Sequence, residues 1–212
     1  MDKASPVLQV DGMCFGYPQR ALFTDWCLSV RSGATLLQGG DSSGKTTLLR
    51  LLAGAVAAQQ GHWVLRGVRV APQAQAYRHQ VFWQDPRSDA LHALSARAWW
   101  AELAAQHAAW DAAALAAHVQ GWGLQPHLDK ALHQLSAGSQ RKVLMAAALA
   151  SGAALTLIDE PVAGLDQPSV RYLCQALAAS AAQPGRAIVV AHYGTLPGVP
   201  WTEVVALPEP AE

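Results

Sequence analysis

Hydrophobic positions in the first third of the chain fall in short runs separated by turn residues, the pattern of strands rather than long helices. Residues 7–10 and 27–30 read as two strands, with Arg31, Ser32 and Gly33 as the turn after the second. Residues 35–38 are a further apolar strand ending at Gly39 and Gly40, and residues 45–53 then have helical character. Residues 62–70 and 80–83 read as more short strands. From about 90 to 121 the chain is dense in Ala, Leu and Trp and poor in β-branched residues. Ser95 and Asp111 are placed to cap two helices there, and Gly121, Trp122 and Gly123 close the second. The last third alternates again: helix 139–150, strand 155–158, helix 168–182, strand 187–191 and a last strand near Val204. Strand, Gly-rich turn and helix in this order predict an α/β fold.

Composition narrows the function classes. In 212 residues, 15 Lys and Arg balance 15 Asp and Glu, so the formal net charge is zero. That argues against a basic nucleic-acid-binding surface. Charged residues are 14% of the chain, against roughly 25% in an average soluble domain, and a charge-poor surface suggests cover by a partner. A membrane-spanning helix needs about 20 apolar residues. The uncharged stretch 112–128 is broken by His118, Gln120, Pro126 and His127, and 143–158 is too short. The N-terminal residues show no apolar run after Lys3, so no signal peptide is expected. Cys14, Cys27 and Cys174 have no zinc or redox spacing and read as reduced core thiols in a cytosolic protein. Residues 208–212 read as a short tail after the last core strand, with no regulatory domain appended.

Three stretches carry chemistry. Gly39, Gly40, Asp41, Ser42, Ser43, Gly44, Lys45 and Thr46, with Thr47 following, fit G-x-x-x-x-G-K-[ST] between a strand and a helix. Glycines let backbone N–H groups wrap phosphates, Lys45 brings a charge to the β- and γ-phosphates, and the Thr46 hydroxyl suits Mg²⁺. The apolar strand 155–158 ends in Asp159 and Glu160, one carboxylate able to hold a metal and the next to take a proton from water. Leu135, Ser136, Ala137, Gly138 and Ser139 alone read equally well as a capped helix start.

In this order, the three stretches resemble the ATP-binding cassette (ABC) ATPases over nearly the whole chain. The resemblance implies a P-loop NTPase core with an N-terminal antiparallel β portion and a helical subdomain at about 85–135, all in one domain. It implies Walker A at Gly39 to Thr46, the Q-loop glutamine at Gln84 as a metal and water contact, and the signature at Leu135 to Ser139. Asp159 becomes the Walker B aspartate, Glu160 the catalytic glutamate, Asp166 part of the D-loop and His192 the switch histidine. Tyr17 stands where the family stacks an aromatic on adenine, with Phe15 as competitor. Ala137 and Ser139 depart from the family's Gly and Gln, while Ser136 and Gly138 are intact.

The implied function is ATP hydrolysis with Mg²⁺, energising a transmembrane permease at the cytoplasmic face of a bacterial inner membrane. Two cassettes, identical or related, would pair head to tail. The chain also resembles the haem-exporter ATPase of cytochrome c maturation. The rival reading is a soluble or degenerate cassette that binds ATP as a switch without driving transport. The segment from Gln84 to Trp100 is the expected docking surface. Adjacent helix residues lie about 100° apart, so at least one of Trp99 and Trp100 is expected to be partly exposed; the alternative is that both fill the core.

Overall fold

The computed structural model describes residues 5–207. The tail expected at 208–212 and the first four residues of the stretch that excluded a signal peptide lie outside them.

The elements in chain order are strands β1 (Leu8–Tyr17), β2 (Arg20–Val30) and β3 (Gly33–Gln38), helix α1 (Lys45–Leu52), strands β4 (Gln60–Leu65) and β5 (Val68–Val70), helix α2 (Gln75–Arg78) and strand β6 (Val81–Trp83). Helices α3 (Ala96–Gln106), α4 (Ala112–Gly121) and α5 (Ala137–Ala150) follow, then β7 (Leu155–Asp159), α6 (Gln167–Ala181), β8 (Ala187–His192) and β9 (Trp201–Ala206). Short 3₁₀ turns punctuate the stretch from Asp89 to Gln134.

Two sheets result. One is antiparallel, in the order β2-β1-β4-β5, and the other is parallel, in the order β6-β7-β8-β3-β9. Period-two alternation divides the parallel sheet's residues between two cores. Leu155, Leu157, Val189 and Ala191 face α1 and the antiparallel sheet, where Leu48, Leu49, Val10 and Met13 meet them. Ile158, Ile188 and Val190 face the opposite way, toward α5, α6 and the helices between β6 and β7. Strands buried on both faces read as continuous apolar runs, which is why β7 and β8 stood out.

The structure corrects several expectations. Residues 62–70 form a hairpin rather than one strand, because Arg66 and Gly67 take positive φ (49° and 77°) and reverse the chain. β1 and β2 run well beyond the residues first read as strands, since their mutual pairing extends to Tyr17 and Arg20. Helix α5 starts at Ala137, two residues early, because the Ser136 hydroxyl accepts from the Ser139 N–H at 3.2 Å. Ser95 and Asp111 cap α3 and α4 as expected.

Trp99 and Trp100 are both buried, at 4% and 5% exposure, which contradicts the expected exposure of one of them. With Ala96 and Leu103 they make an i, i+3, i+4, i+7 stripe, wide enough for two neighbours at its centre.

Candidate active site

The parallel sheet's order gathers the motifs. β7, β8 and β3 are neighbours, and register pairs Gln38 with His192 and Asp159 with Ala191. The loop after β3, the acids after β7 and the histidine ending β8 therefore emerge side by side at the carboxyl ends of the strands, where open α/β sheets bind ligands.

The loop from Gly39 to Gly44 leads into α1, whose N-cap Gly44 has φ 94° and lends no side chain to the first turn. That conformation is strained for any residue with a Cβ, and it leaves α1's first N–H groups aimed outward, a ready anion site. Lys45 lies folded against the loop, its Nζ donating to the Gly39 and Gly40 carbonyls at 2.7 and 2.8 Å. Ser43 Oγ is buried without a hydrogen-bond partner among the described residues. Tyr17, Asp41, Ser42, Gly44, Thr46, Thr47 and Glu160 join Lys45 around a cavity of about 500 Å³.

Asp159 is buried, and the Thr46 hydroxyl donates to its Oδ2 at 2.7 Å. Its Oδ1 is buried without a partner. Burial raises this carboxyl above the ordinary aspartate range, opposed by the Thr46 hydrogen bond. An orphaned carboxylate oxygen beside a hydroxyl is a donor set that fits a hard divalent cation. Glu160 takes a left-handed backbone conformation, φ 43°, uncommon for a residue with a side chain. Its Oε2 lies 2.7 Å from Nδ1 of the buried His192, and its Oε1 lies 3.6 Å from Lys45 Nζ.

Other expected site residues stand elsewhere. Phe15 is buried, edge-on to Tyr17, and Tyr17 is half exposed with its hydroxyl 3.3 Å from Thr47 Oγ1. Of the two aromatics, Tyr17 alone lines the cavity. Gln84 does not line it; with Trp83, Trp99, Glu102, Gln106 and His107 it borders a second groove of about 470 Å³. Ser136 and Gly138 do not line this chain's cavity either, and Ser136 lies exposed at the start of α5.

The two departures in that stretch have physical explanations. Ala137 is exposed, so its methyl meets no obstacle. A Cβ on Gly138 would come within 2.4 Å of the Gly164 carbonyl oxygen, so this second glycine is sterically required. Gln140, one place beyond the family's glutamine, donates to the Leu132 and Leu135 carbonyls and braces the turn before the helix.

Sequence reasoning missed three arginines. Arg20 and Arg87 line the cavity. Arg141, one turn into α5, donates from Nη1 to the Asp159 main-chain carbonyl at 2.9 Å and ties the signature helix to the strand end bearing both acids. Burial lowers its pKa, opposed by the charges of Asp159 and Glu160. Arg141 follows the signature stretch and Arg87 lies in the expected docking segment, but neither has a role at the site in the sequence reading, and Arg20 is not singled out there; the fold brings all three here.

Comparison with known proteins agrees with this geometry. The ABC transporter family matches residues 24–163. The chain is 35% identical over 197 residues, 91% of each chain, to the "Cytochrome c biogenesis ATP-binding export protein CcmA" of Pseudomonas savastanoi pv. phaseolicola. It is 33% identical to the protein of that name from Alkalilimnicola ehrlichii, over 98% of this chain and 90% of that one. Among solved structures, an "ATP binding subunit of ABC transporter" superposes with a TM-score of 0.76 at 21% identity, covering 88% of this chain and 79% of that one. A putative ABC transporter ATP-binding protein from Pyrococcus furiosus also gives 0.76, at 17% identity over 94% and 96% of the two chains. With the phosphate loop, the paired acids and the histidine gathered at one sheet edge, the chain belongs to the ABC transporter family as an ATP-binding, ATP-hydrolysing subunit.

Proposed function

We propose that the cavity beside Lys45 holds MgATP and that Glu160 is the general base of its hydrolysis. The observation that carries this reading is the Glu160 carboxylate, held between Lys45 and His192 at the cavity wall. Tyr17 would pack against the adenine, the loop N–H groups and Lys45 would bind the phosphates, and Ser43 Oγ would gain a partner there. Thr46 and Asp159 would hold Mg²⁺, with Gln84 the further candidate. When bound, the ion neutralises charge on the β- and γ-phosphates. Glu160 would take the proton of the attacking water, and His192 would orient that carboxylate.

The site on one chain is incomplete without Ser136 and Gly138, so two cassettes would pair head to tail, each lending its α5 start to the other's nucleotide. Closure would exclude water and complete the site, and hydrolysis would release the pair. Residues 85–135 would act as a helical subdomain, and the groove beside Gln84 would receive a permease segment at the cytoplasmic face of a bacterial inner membrane. No helix among the described residues is long and apolar enough to cross a membrane, so the permease must be a separate chain or domain.

The relatives' name supports a role in exporting a component of cytochrome c biogenesis. Reconstitution with the co-purified permease tests the reading. ATP hydrolysis and transport that both stop in Glu160→Gln are expected. Full hydrolysis in that variant would refute the base assignment, and full transport with dead hydrolysis would favour the switch reading. Normal c-type cytochrome content in a strain lacking the gene would refute the cargo assignment.

A further inference from the structure

Glu160 lines the cavity, and the buried Asp159 is tied to the cavity-lining Thr46; this end would receive the most charged part of the nucleotide. Lys45 is the cation that the loop motif supplies there. Arg141 is nearby, but it is half-buried and donates to a backbone carbonyl. Arg87 is different. It is exposed and lines the cavity together with Lys45, Thr46 and Glu160. Among the described residues, its guanidinium makes no hydrogen bond and no ion pair. An arginine side chain stays charged at any physiological pH and presents a planar fork of donors that suits phosphate.

The chain places Arg87 deliberately. Asp85, Pro86, Arg87 and Ser88 form a tight turn, closed by the Ser88 N–H donating to the Asp85 carbonyl at 3.1 Å. Asp85 Oδ1 accepts from the Arg87 N–H at 3.0 Å. Asp85 Oδ2 accepts from Arg50 Nη2 at 2.6 Å and Nε at 3.2 Å. Arg50 lies on α1, the helix that opens with Lys45, so a forked ion pair fastens the turn to the phosphate-loop helix. Pro86 fixes its own φ and stiffens the turn further. The clamp to α1 therefore sets Arg87 in the same cavity lining as Lys45, Thr46 and Glu160.

We infer that Arg87 is a second cation for the terminal phosphate of the nucleotide, held in place by the Arg50–Asp85 clamp. The inference rests on the nucleotide reading of the cavity. It also gives the turn after Gln84 a direct stake in the nucleotide's phosphate count, because the segment that runs on into α3 carries the charge.

The test compares affinities of the full chain, with Mg²⁺, for a non-hydrolysable β,γ-imido ATP analogue and for ADP. The variants are Arg87→Gln, Arg87→Lys and Lys45→Ala. Arg87→Gln should weaken the triphosphate analogue by about tenfold or more, the size of a lost charged hydrogen bond, and leave ADP within about twofold. Arg87→Lys, a point charge without the fork, should recover part of the loss. The unchanged ADP affinity doubles as the control that the variant is folded. If Arg87→Gln leaves the ratio of the two affinities unchanged while Lys45→Ala weakens both, Arg87 is a solvated surface residue and the proposal falls alone. If Lys45→Ala changes neither, the nucleotide reading falls with it.

Discussion

His192 Nδ1 lies 2.7 Å from Oε2 of Glu160, and the imidazole is buried. The other Glu160 oxygen faces Lys45 at 3.6 Å. The carboxylate is thus held from two sides on a residue with φ 43°, a backbone conformation that persists where surrounding contacts enforce it. The Glu160 N–H donates to the Ala191 carbonyl at 2.9 Å, which anchors that conformation to β8 beside the histidine. Binding of triphosphate would draw Lys45 off the Gly39 and Gly40 carbonyls and free Glu160 for water.

Glu160→Gln keeps the shape and removes the base. Nucleotide binding should persist, and turnover of the assembled transporter should fall by about 10²–10⁴. ATP-bound pairs should accumulate, read by size-exclusion chromatography with light scattering. A variant that stays monomeric with ATP and hydrolyses it normally would overturn the assignment of Glu160.

Lys45→Ala removes the charge proposed to meet the phosphates, carried on a side chain that lies over the loop. ATP affinity by calorimetry should drop by at least tenfold, the order expected for one charge-assisted contact. The circular-dichroism spectrum should not change. Undiminished ATP affinity would show that the loop is not the phosphate cradle.

The sequence made the parallel core legible because β3, β7 and β8 are short apolar runs ending at functional residues. It also made the phosphate loop and the paired acids legible through their motif and position, and the histidine through the family resemblance. The 62–70 hairpin was missed, because Arg66 at positive φ leaves no mark that the neighbouring Gly67 does not already explain. The tryptophan pair was misjudged for want of the partner surface. Ala96 and Leu103 extend its stripe, and packing from two sides was not visible from α3 alone. Arg20, Arg87 and Arg141 were invisible for the same reason: a cation's role is set by which carboxylates and carbonyls the fold brings near it.

A pH dependence follows from His118. Burial lowers its pKa below the ordinary histidine value, and Tyr172 Oη lies 3.0 Å from its Nδ1. His107 is lowered by burial as well. An unfolded histidine titrates near 6.5, so between the two values the unfolded chain binds more protons than the folded one. Stability from these groups is complete above about pH 6.5 and is lost as pH falls through the lower folded values. Thermal unfolding should therefore shift down between pH 7 and pH 5. His118→Gln, which can still reach Tyr172, should shift less over the same range. An equal shift in both proteins would assign the effect to other groups.

The groove beside Gln84 needs a different probe from the tryptophans. Both indoles are core, so a polar substitution at Trp99 or Trp100 should unfold the chain by about 3–5 kcal/mol, the cost of truncating a buried aromatic. Glu102 and Gln106 border the same groove from exposed positions on α3. Glu102→Arg with Gln106→Arg should leave the secondary structure of the isolated chain intact and reduce its recovery with the permease from detergent-solubilised membranes. Recovery at the original level would exclude this groove as the docking surface.

Adjacent residues in the signature stretch should behave in opposite ways. Ala137 stands where the family has glycine, and Ala137→Gly removes an exposed methyl. The change should cost about 1 kcal/mol or less through helix propensity at the start of α5, and ATP turnover should stay close to that of the parent. Gly138 is packed on the D-loop, with the Gly164 carbonyl oxygen only 2.4 Å from where a Cβ would stand. That neighbour is backbone, with no flexible end to swing aside, so Gly138→Ala must push the α5 start and the Gly164 turn apart. In the proposed head-to-tail pairing, the α5 start is the segment lent to the second cassette's nucleotide. The displaced α5 start also carries Arg141, which holds the Asp159 carbonyl. Gly138→Ala should therefore lower turnover at least tenfold while ATP affinity of the isolated chain stays within a few-fold, because the cavity beside Lys45 is untouched. Equal turnover in Gly138→Ala and Ala137→Gly would mean that the contact with Gly164 yields without consequence.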